Sequence, residues 1–331
     1  MKCEMAKIYY DADIDVDTLA DMTIGVIGYG NQGMAHALNM RDSGLSIRVG
    51  TRPESDARAR AKKDGFDEED AESIATNCDV LAIMLPDEAV AAVYAKSIEP
   101  YISSNKVFVF AHGFCVQHKT LRLPEMADVL LVAPTGPGRK LRSLYVEGKG
   151  LPALIAVEQD DSGLGLQRCL AYAKAIGCTR AGAIATTFKE ETVTDLFCEQ
   201  SVLCGGMPEL IKKSFEVAVE AGYQPELAYI SCLKEVKLIA DLLFDVGIDG
   251  MREAISNTAK FGSAVSGPLI INDDTKSKMQ EVLRQIESGS FGRKMIEDAA
   301  AGSPTIKQFL EHERQSQIVG TGKELKEKLD F

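Results

Sequence analysis

Three glycines at fixed spacing constrain this chain more than any other feature. The segment Gly28-Tyr29-Gly30-Asn31-Gln32-Gly33 directly follows the apolar run Thr23–Ile27 and opens the helical stretch 32–42. This order predicts a strand, a tight turn and a helix. The first glycine permits the turn, the second lets backbone approach a ligand, and the third lets the helix pack closely on a sheet. Amides left free at the helix start suit a pyrophosphate. The expectation is a dinucleotide held by Gly28, Tyr29, Gly30, Asn31, Gln32 and Gly33.

Further apolar runs at 46–49, 80–85, 107–110 and 130–133 have helical stretches between most of them, such as 57–63. Strand–helix alternation at this spacing predicts a doubly wound parallel sheet. A run at 153–157 and a helix at 164–176 continue it towards Ala185. After Thr186 the pattern becomes helical, most clearly at 188–203, 209–221, 225–246 and 251–258. Residues 226–246 are apolar almost all round, so this helix is expected to be buried in a core or against another subunit. The fold class is therefore an α/β Rossmann domain over residues 1–185 joined to an all-α domain over 186–331.

The second strand should end near Gly50-Thr51-Arg52-Pro53. A site for NAD would usually place an acidic residue there to hold the ribose hydroxyls. Arg52, followed by Ser55 and Arg58, instead suits a 2′-phosphate and favours NADP. Glu54 and Asp56 in the same loop would oppose that phosphate if they faced it.

In the helical half, Glu191, Asp195 and Glu199 are spaced four apart and so share one helix face. Like charges at this spacing cost a few tenths of a kcal/mol per pair, at about 0.2–0.5. A bound cation would turn that repulsion into ligation, and oxygen donors point to Mg²⁺. A solvated acidic face fits the spacing equally well. Glu235 lies inside the apolar run and needs a partner, either a metal or the neighbouring Lys234 and Lys237. Ser231 sits one turn earlier.

A net charge of −12 argues against nucleic-acid and anionic-membrane partners, which need a basic footprint. Eight cysteines (Cys3, Cys78, Cys115, Cys169, Cys178, Cys198, Cys204 and Cys232) show no metal-ligand spacing. With no signal peptide or long apolar span, free thiols in a reducing cytoplasm are expected.

The stretches IGYGNQGMAHALNMRDSG, FVFAHGF, APTGPG, YVEGKGLPALIAVEQD, TTFKEETVTDLFCEQSVLCGG, AGYQPELAY and AISNTAKFG span nearly the whole chain. In this order they resemble the class I ketol-acid reductoisomerases. The resemblance implies NADPH, Mg²⁺ and a 2-acetolactate-type acetohydroxy acid, which undergoes alkyl migration and then reduction to a 2,3-dihydroxy acid. It implies that Asp195 and Glu199 bind metal, with Glu191 supporting them beside the substrate. Glu235 would come from the partner of a homodimer, to bind metal or handle protons. His112 and Gly138 would lie near the cofactor, His112 also at the reacting centre, and Ser256 would contact the substrate carboxylate. The helical domain is expected to be knotted.

Three departures from the family pattern fall at reaction-site positions. Thr135 stands where a lysine is usual, Ser231 where a glutamate is usual, and Lys234 where a histidine is usual. Cys115, Cys198 and Lys260 are smaller changes. The substitutions on one helix make that wall more positive by about two charges, which should weaken a second Mg²⁺ site. The alternative to a working reductoisomerase is a diverged paralogue: a 2-ketoacid reductase on another substrate, or a non-catalytic NADP-binding protein.

Overall fold

The computed structural model describes residues 5–14, 18–103 and 105–329, so Cys3 lies outside the described residues. The chain forms two compact units, Met1–Thr194 and Asp195–Phe331.

The first unit is built on an eight-stranded sheet. Its strands are β1 (Ile8–Tyr9), β2 (Thr23–Ile27), β3 (Ser46–Gly50), β4 (Val80–Ile83), β5 (Lys106–Phe110), β6 (Ala127–Pro134), β7 (Ala153–Gln159) and β8 (Ala183–Ala185), in spatial order β1-β8-β7-β6-β5-β4-β2-β3. From β3 to β6 the neighbours are parallel. These strands read as continuous apolar runs because helices cover the sheet. All of β4 and β5 is buried, including Lys106, whose ammonium donates to the Cys78 carbonyl at 2.6 Å.

The expectation of a wholly parallel sheet needs correction, because β6 pairs antiparallel with β7 and β1 antiparallel with β8. The cause lies in the connection after β6. Thr135 donates its amide to the Pro152 carbonyl at 2.8 Å, and Pro134 pairs with Ala153. The helix Gly138–Val146 between them therefore returns the chain to the end it left, and β7 must run back alongside β6. A crossover to the far end would have made the pair parallel.

Strand order reverses between β2 and β4: the chain goes from β2 to β3 on one side, then crosses to β4 on the other. Ligands of open α/β sheets bind at such a switch point, outside the carboxyl ends of the strands. The glycine loop, His112 and Thr135 follow β2, β5 and β6 at that edge.

The second unit is helical throughout its described residues. Its buried apolar cluster is small and joins Phe215, Ala228, Tyr229, Ile318 and Leu325. Gly322 brings the helices Pro225–Tyr229 and Gln317–Lys328 together, since a Cβ there would meet the Tyr229 hydroxyl at 2.7 Å. Two sequence expectations change here. The helix expected over 225–246 contains a π-helical turn at Ile230–Lys234, and Gly247 (φ 74°, ψ −179°) makes a kink between it and the helical residues up to Ala254. The helix expected over 251–258 is broken at Ile255, and Ser256 caps a new helix, Asn257–Ile270. Ser256 explains the break, because its side chain accepts the Ala259 amide and competes with helical continuation.

Candidate active site

The glycine loop is shaped by close backbone approaches. Gly28 has φ 100°, and a Cβ there would meet the Met84 carbonyl oxygen at 2.5 Å. A Cβ on Gly33 would meet the Gly28 carbonyl oxygen at 2.1 Å, so this glycine lets the helix Asn31–Asp42 start against the turn. Gly30 differs: a Cβ there would find nothing within 4 Å. The protein leaves that space open, and it is where backbone can approach a pyrophosphate. Gly138 closes one side, because a Cβ there would meet the Asn31 carbonyl oxygen at 1.9 Å. Gln32 donates its amide to the Gly136 carbonyl at 3.0 Å, while its Oε1 is buried without a hydrogen-bond partner. This cradle fits a dinucleotide.

Within the loop the residues divide. Asn31 is exposed. Tyr29 is buried against Phe66 and donates its hydroxyl to Asp64 at 2.8 Å, so its side chain is part of the support beneath the loop. Burial and the Asp64 carboxylate both raise its pKa.

Beyond β3, Arg52 is exposed and Ser55 caps the helix Asp56–Lys63. The Ser55 hydroxyl donates to the Arg52 carbonyl and accepts the Arg58 amide. Arg58 donates to the carbonyls of Thr51 (2.8 Å) and Glu69 (2.6 Å), so its guanidinium braces the loop. Glu69 is in turn held by Arg48, whose guanidinium keeps that carboxyl below the usual range. Of the two arginines, Arg58 is thus committed to the loop's own carbonyls, whereas Arg52 is exposed.

At the end of β5, His112 and Gly113 are clamped by one carboxylate. Glu191 pairs through Oε1 with His112 Nδ1 at 2.9 Å and accepts the Gly113 amide through Oε2 at 2.8 Å. Glu191 is only 3% exposed. A Cβ on Gly113 would meet Thr192 Oγ1 at 2.4 Å and Glu191 Oε2 at 2.9 Å, so only glycine allows this approach. Sequence reading did not single out Gly113 or Thr192. The sole signal was the glycine following His112, which has no distinctive spacing.

The unit boundary falls inside the helix Phe188–Cys198, which carries Asp195 one turn beyond Glu191. Ligand atoms of His112, Glu191 and Asp195 lie within 4.8 Å of one another. The first gap is set by a hydrogen bond and the second by a single helix. The acidic face is thus not uniformly solvated: Glu191 is buried, whereas Asp195 and Glu199 are exposed. Glu199 begins a π-helical turn, Glu199–Leu203. Glu191 and Asp195 belong with His112 to the one group of close ligand atoms found among the described residues, and their carboxylate oxygens are of the kind Mg²⁺ takes; Glu199 lies outside that group.

The remaining candidates are placed as follows. Thr135 donates its hydroxyl to the Pro152 carbonyl at 2.9 Å, so it ties the β6–β7 connection. Ser231 and Glu235 are exposed and Lys234 is half-buried, all within or beside the Ile230–Lys234 π turn. Ser256 is an exposed helix cap.

Comparison with known proteins agrees with this architecture. Residues 18–182 match the family model of the acetohydroxy acid isomeroreductase NADPH-binding domain, and residues 188–331 match that of the ketol-acid reductoisomerase C-terminal domain. An NADH-preferring ketol-acid reductoisomerase from an uncultured archaeon is 41% identical, with TM-score 0.94 over 98% of this chain and 100% of its own. More distant similarities show the fold alone. A semialdehyde dehydrogenase NAD-binding protein from Cupriavidus necator is 17% identical (TM-score 0.63, 81% of this chain and 99% of its own). A pyrroline-5-carboxylate reductase from Coxiella burnetii is 15% identical (TM-score 0.53, 81% and 98%). With both halves matched, this chain belongs to the ketol-acid reductoisomerase family, NAD(P)H- and Mg²⁺-dependent oxidoreductases of branched-chain amino-acid biosynthesis.

Proposed function

We propose that this protein converts a 2-acetolactate-type acetohydroxy acid to a 2,3-dihydroxy acid, with NADPH as hydride donor, as a cytoplasmic homodimer. The observation that carries this reading is the Glu191 clamp on His112 and Gly113, with Asp195 one turn further along the same helix.

In the first step the C2 hydroxyl loses its proton and the alkyl group migrates from C2 to C3. C2 becomes a ketone, and the oxygen on C3 takes up a proton. In the second step a hydride from the nicotinamide adds to C2, and its oxygen takes a proton. Bound Mg²⁺ supplies Lewis-acid polarisation of the reacting oxygens. The residues do the rest. The glycine loop and Gly138 hold the dinucleotide at the sheet edge where β5 delivers His112. Glu191 fixes the His112 ring by its Nδ1 side, and His112 exchanges a proton with substrate oxygen. Asp195 and Glu199 hold the cation. Glu191, with both oxygens engaged, acts as a positioning residue. Glu235 handles a proton, and Ser256 orients the substrate carboxylate.

A homodimer is supported by the second unit's surface. Leu238 (62% exposed), Phe244 (90%), Phe261 (74%) and Leu269 (75%) lie outside the unit's buried apolar cluster. Apolar exposure on this scale marks an interaction face.

A second reading, reduction without alkyl migration, is favoured by Thr135. Its short side chain is bonded back to Pro152, in the position where the family pattern has a lysine. Following NADPH absorbance with Mg²⁺ and either 2-acetolactate or 3-hydroxy-3-methyl-2-oxobutanoate separates the two. Turnover of both establishes the full reaction. Turnover of only the ketoacid establishes a reductase, and turnover of neither removes both readings.

A further inference from the structure

The short helix Phe114–Gln117 begins directly after His112 and Gly113. Its end is wrapped by two backbone bonds: Lys119 donates its amide to the Val116 carbonyl at 3.1 Å, and Thr120 donates to the Cys115 carbonyl at 3.0 Å. Glycine usually completes such a wrap, yet here Lys119 holds the left-handed conformation (φ 52°), which is unfavourable for a residue with a Cβ. From there residues 120–126 run to β6 as a strap without helix or strand. The far end of the strap is pinned by Gln159 of β7, whose side-chain amide donates to the Pro124 and Glu125 carbonyls, each at 2.9 Å.

Beside the strap, at the start of β6 and the end of β7, lies a cleft of about 680 Å³. Small-molecule sites typically span about 300–1,000 Å³. Val116, Leu121, Leu123 and Val129 give this one an apolar wall, and Lys119, Arg122 and Glu158 stand around it. Those three charged side chains are exposed, and among the described residues none of them is in an ion pair. Two cations and a carboxylate thus share one cleft without neutralising one another.

That arrangement selects its ligand by charge complementarity. A simple carboxylate meets Lys119 and Arg122 but is opposed by Glu158. A simple amine meets Glu158 but is opposed by the two cations. A zwitterion suits both signs, and the apolar wall favours a hydrocarbon side chain on it. We infer that this cleft binds a free α-amino acid with an apolar side chain. Its carboxylate meets Lys119 and Arg122, its ammonium meets Glu158, and its side chain covers Leu121, Leu123 and Val129. The inference is independent of the reaction proposed above.

The test is calorimetry on the full-length protein without added Mg²⁺, with L-leucine, L-isoleucine and L-valine as probes. At least one should bind saturably. For that amino acid, 4-methylpentanoate (no ammonium) and 3-methylbutylamine (no carboxylate) should bind about tenfold more weakly. Lys119→Gly relieves the left-handed backbone, so its Tm should match or exceed that of the wild type while amino-acid affinity falls about tenfold. Glu158→Gln should weaken the amino acid and strengthen 4-methylpentanoate. Asp195→Asn should leave amino-acid affinity unchanged, which separates this cleft from the proposed metal site. Absence of binding at millimolar concentrations would overturn the inference. So would equal affinity for the two analogues, unchanged affinity in both Lys119→Gly and Glu158→Gln, or loss of binding in Asp195→Asn.

Discussion

At the scale of single residues, two buried groups set measurable outcomes. His36, in the helix after the glycine loop, is fully buried. Its Nδ1 pairs with the Tyr172 hydroxyl at 3.0 Å, and its Nε2 has no hydrogen-bond partner. Burial therefore lowers its pKa from 6.5 to about 3. The native state keeps this ring neutral, whereas the unfolded chain takes up a proton below its ordinary pKa. The native state then binds fewer protons, so the stabilisation is complete above pH 6.5 and is lost as pH falls towards 3. In denaturant titrations, stability should fall by up to about 1.4 kcal/mol per pH unit more steeply in the wild type than in His36→Gln over that window. Parallel profiles would show that His36 is protonated in the native state. Glu191 makes a second case. Replacing it with Gln gives the Gly113 amide and His112 a neutral partner in place of a charged one. The loss is about 1.5–3 kcal/mol of charge-assisted bonding, or roughly ten- to hundredfold in kcat for ketoacid reduction. NADPH affinity should change little. Equal losses in kcat and in NADPH binding would mean that the clamp merely holds the domain together.

Among the elements, the glycine loop separates two roles that one motif conceals. Gly33→Ala would drive a Cβ into the Gly28 carbonyl, so both Tm and cofactor binding should fall. Gly30→Ala meets no protein atom within 4 Å. Its Tm should stay near that of the wild type while calorimetry shows much weaker NADPH binding. An unchanged affinity would place the pyrophosphate elsewhere. In the next loop, Arg52→Ala should weaken NADPH binding about tenfold and NADH binding far less, the size of one charge-assisted bond. Equal effects on both cofactors would deny Arg52 a phosphate role. These loops were legible in the sequence because glycine spacing and flanking periodicity are local signals. The β6–β7 reversal was not, since a helix between two strands reads as a crossover wherever it lands. The π turns at Glu199–Leu203 and Ile230–Lys234 were equally hidden, as a one-residue widening leaves the apolar pattern intact. The clamp on Gly113 was partly legible: the acidic spacing marked Glu191, but burial of that carboxylate depends on a contact 78 residues away in sequence.

For the whole molecule, the two units present opposite balances of core and surface. The first buries a broad apolar sheet, and most of its large hydrophobic side chains are enclosed. Among the described residues the second buries seven apolar side chains, five of them in one cluster, from a span of well over a hundred residues, a thin core for its length. The sequence marked residues 226–246 as apolar on nearly every side, yet Leu227, Leu238, Phe244 and Val246 are each at least half exposed. Burial within the unit is thus excluded for those side chains, and the alternative of a second subunit remains. Each fully covered Leu or Phe contributes about 1.5–3 kcal/mol, so a handful suffices for a tight dimer. Sedimentation equilibrium should give twice the 35.8 kDa chain mass. Leu238→Asp with Phe244→Asp should shift the mass towards that of one chain. Because the first unit holds its own core and glycine loop, the double variant should still bind NADPH while losing ketoacid turnover, provided the active site is completed by the partner. A monomer that retains full turnover would show that each chain carries a complete site, and Glu235 would then have to act within its own chain.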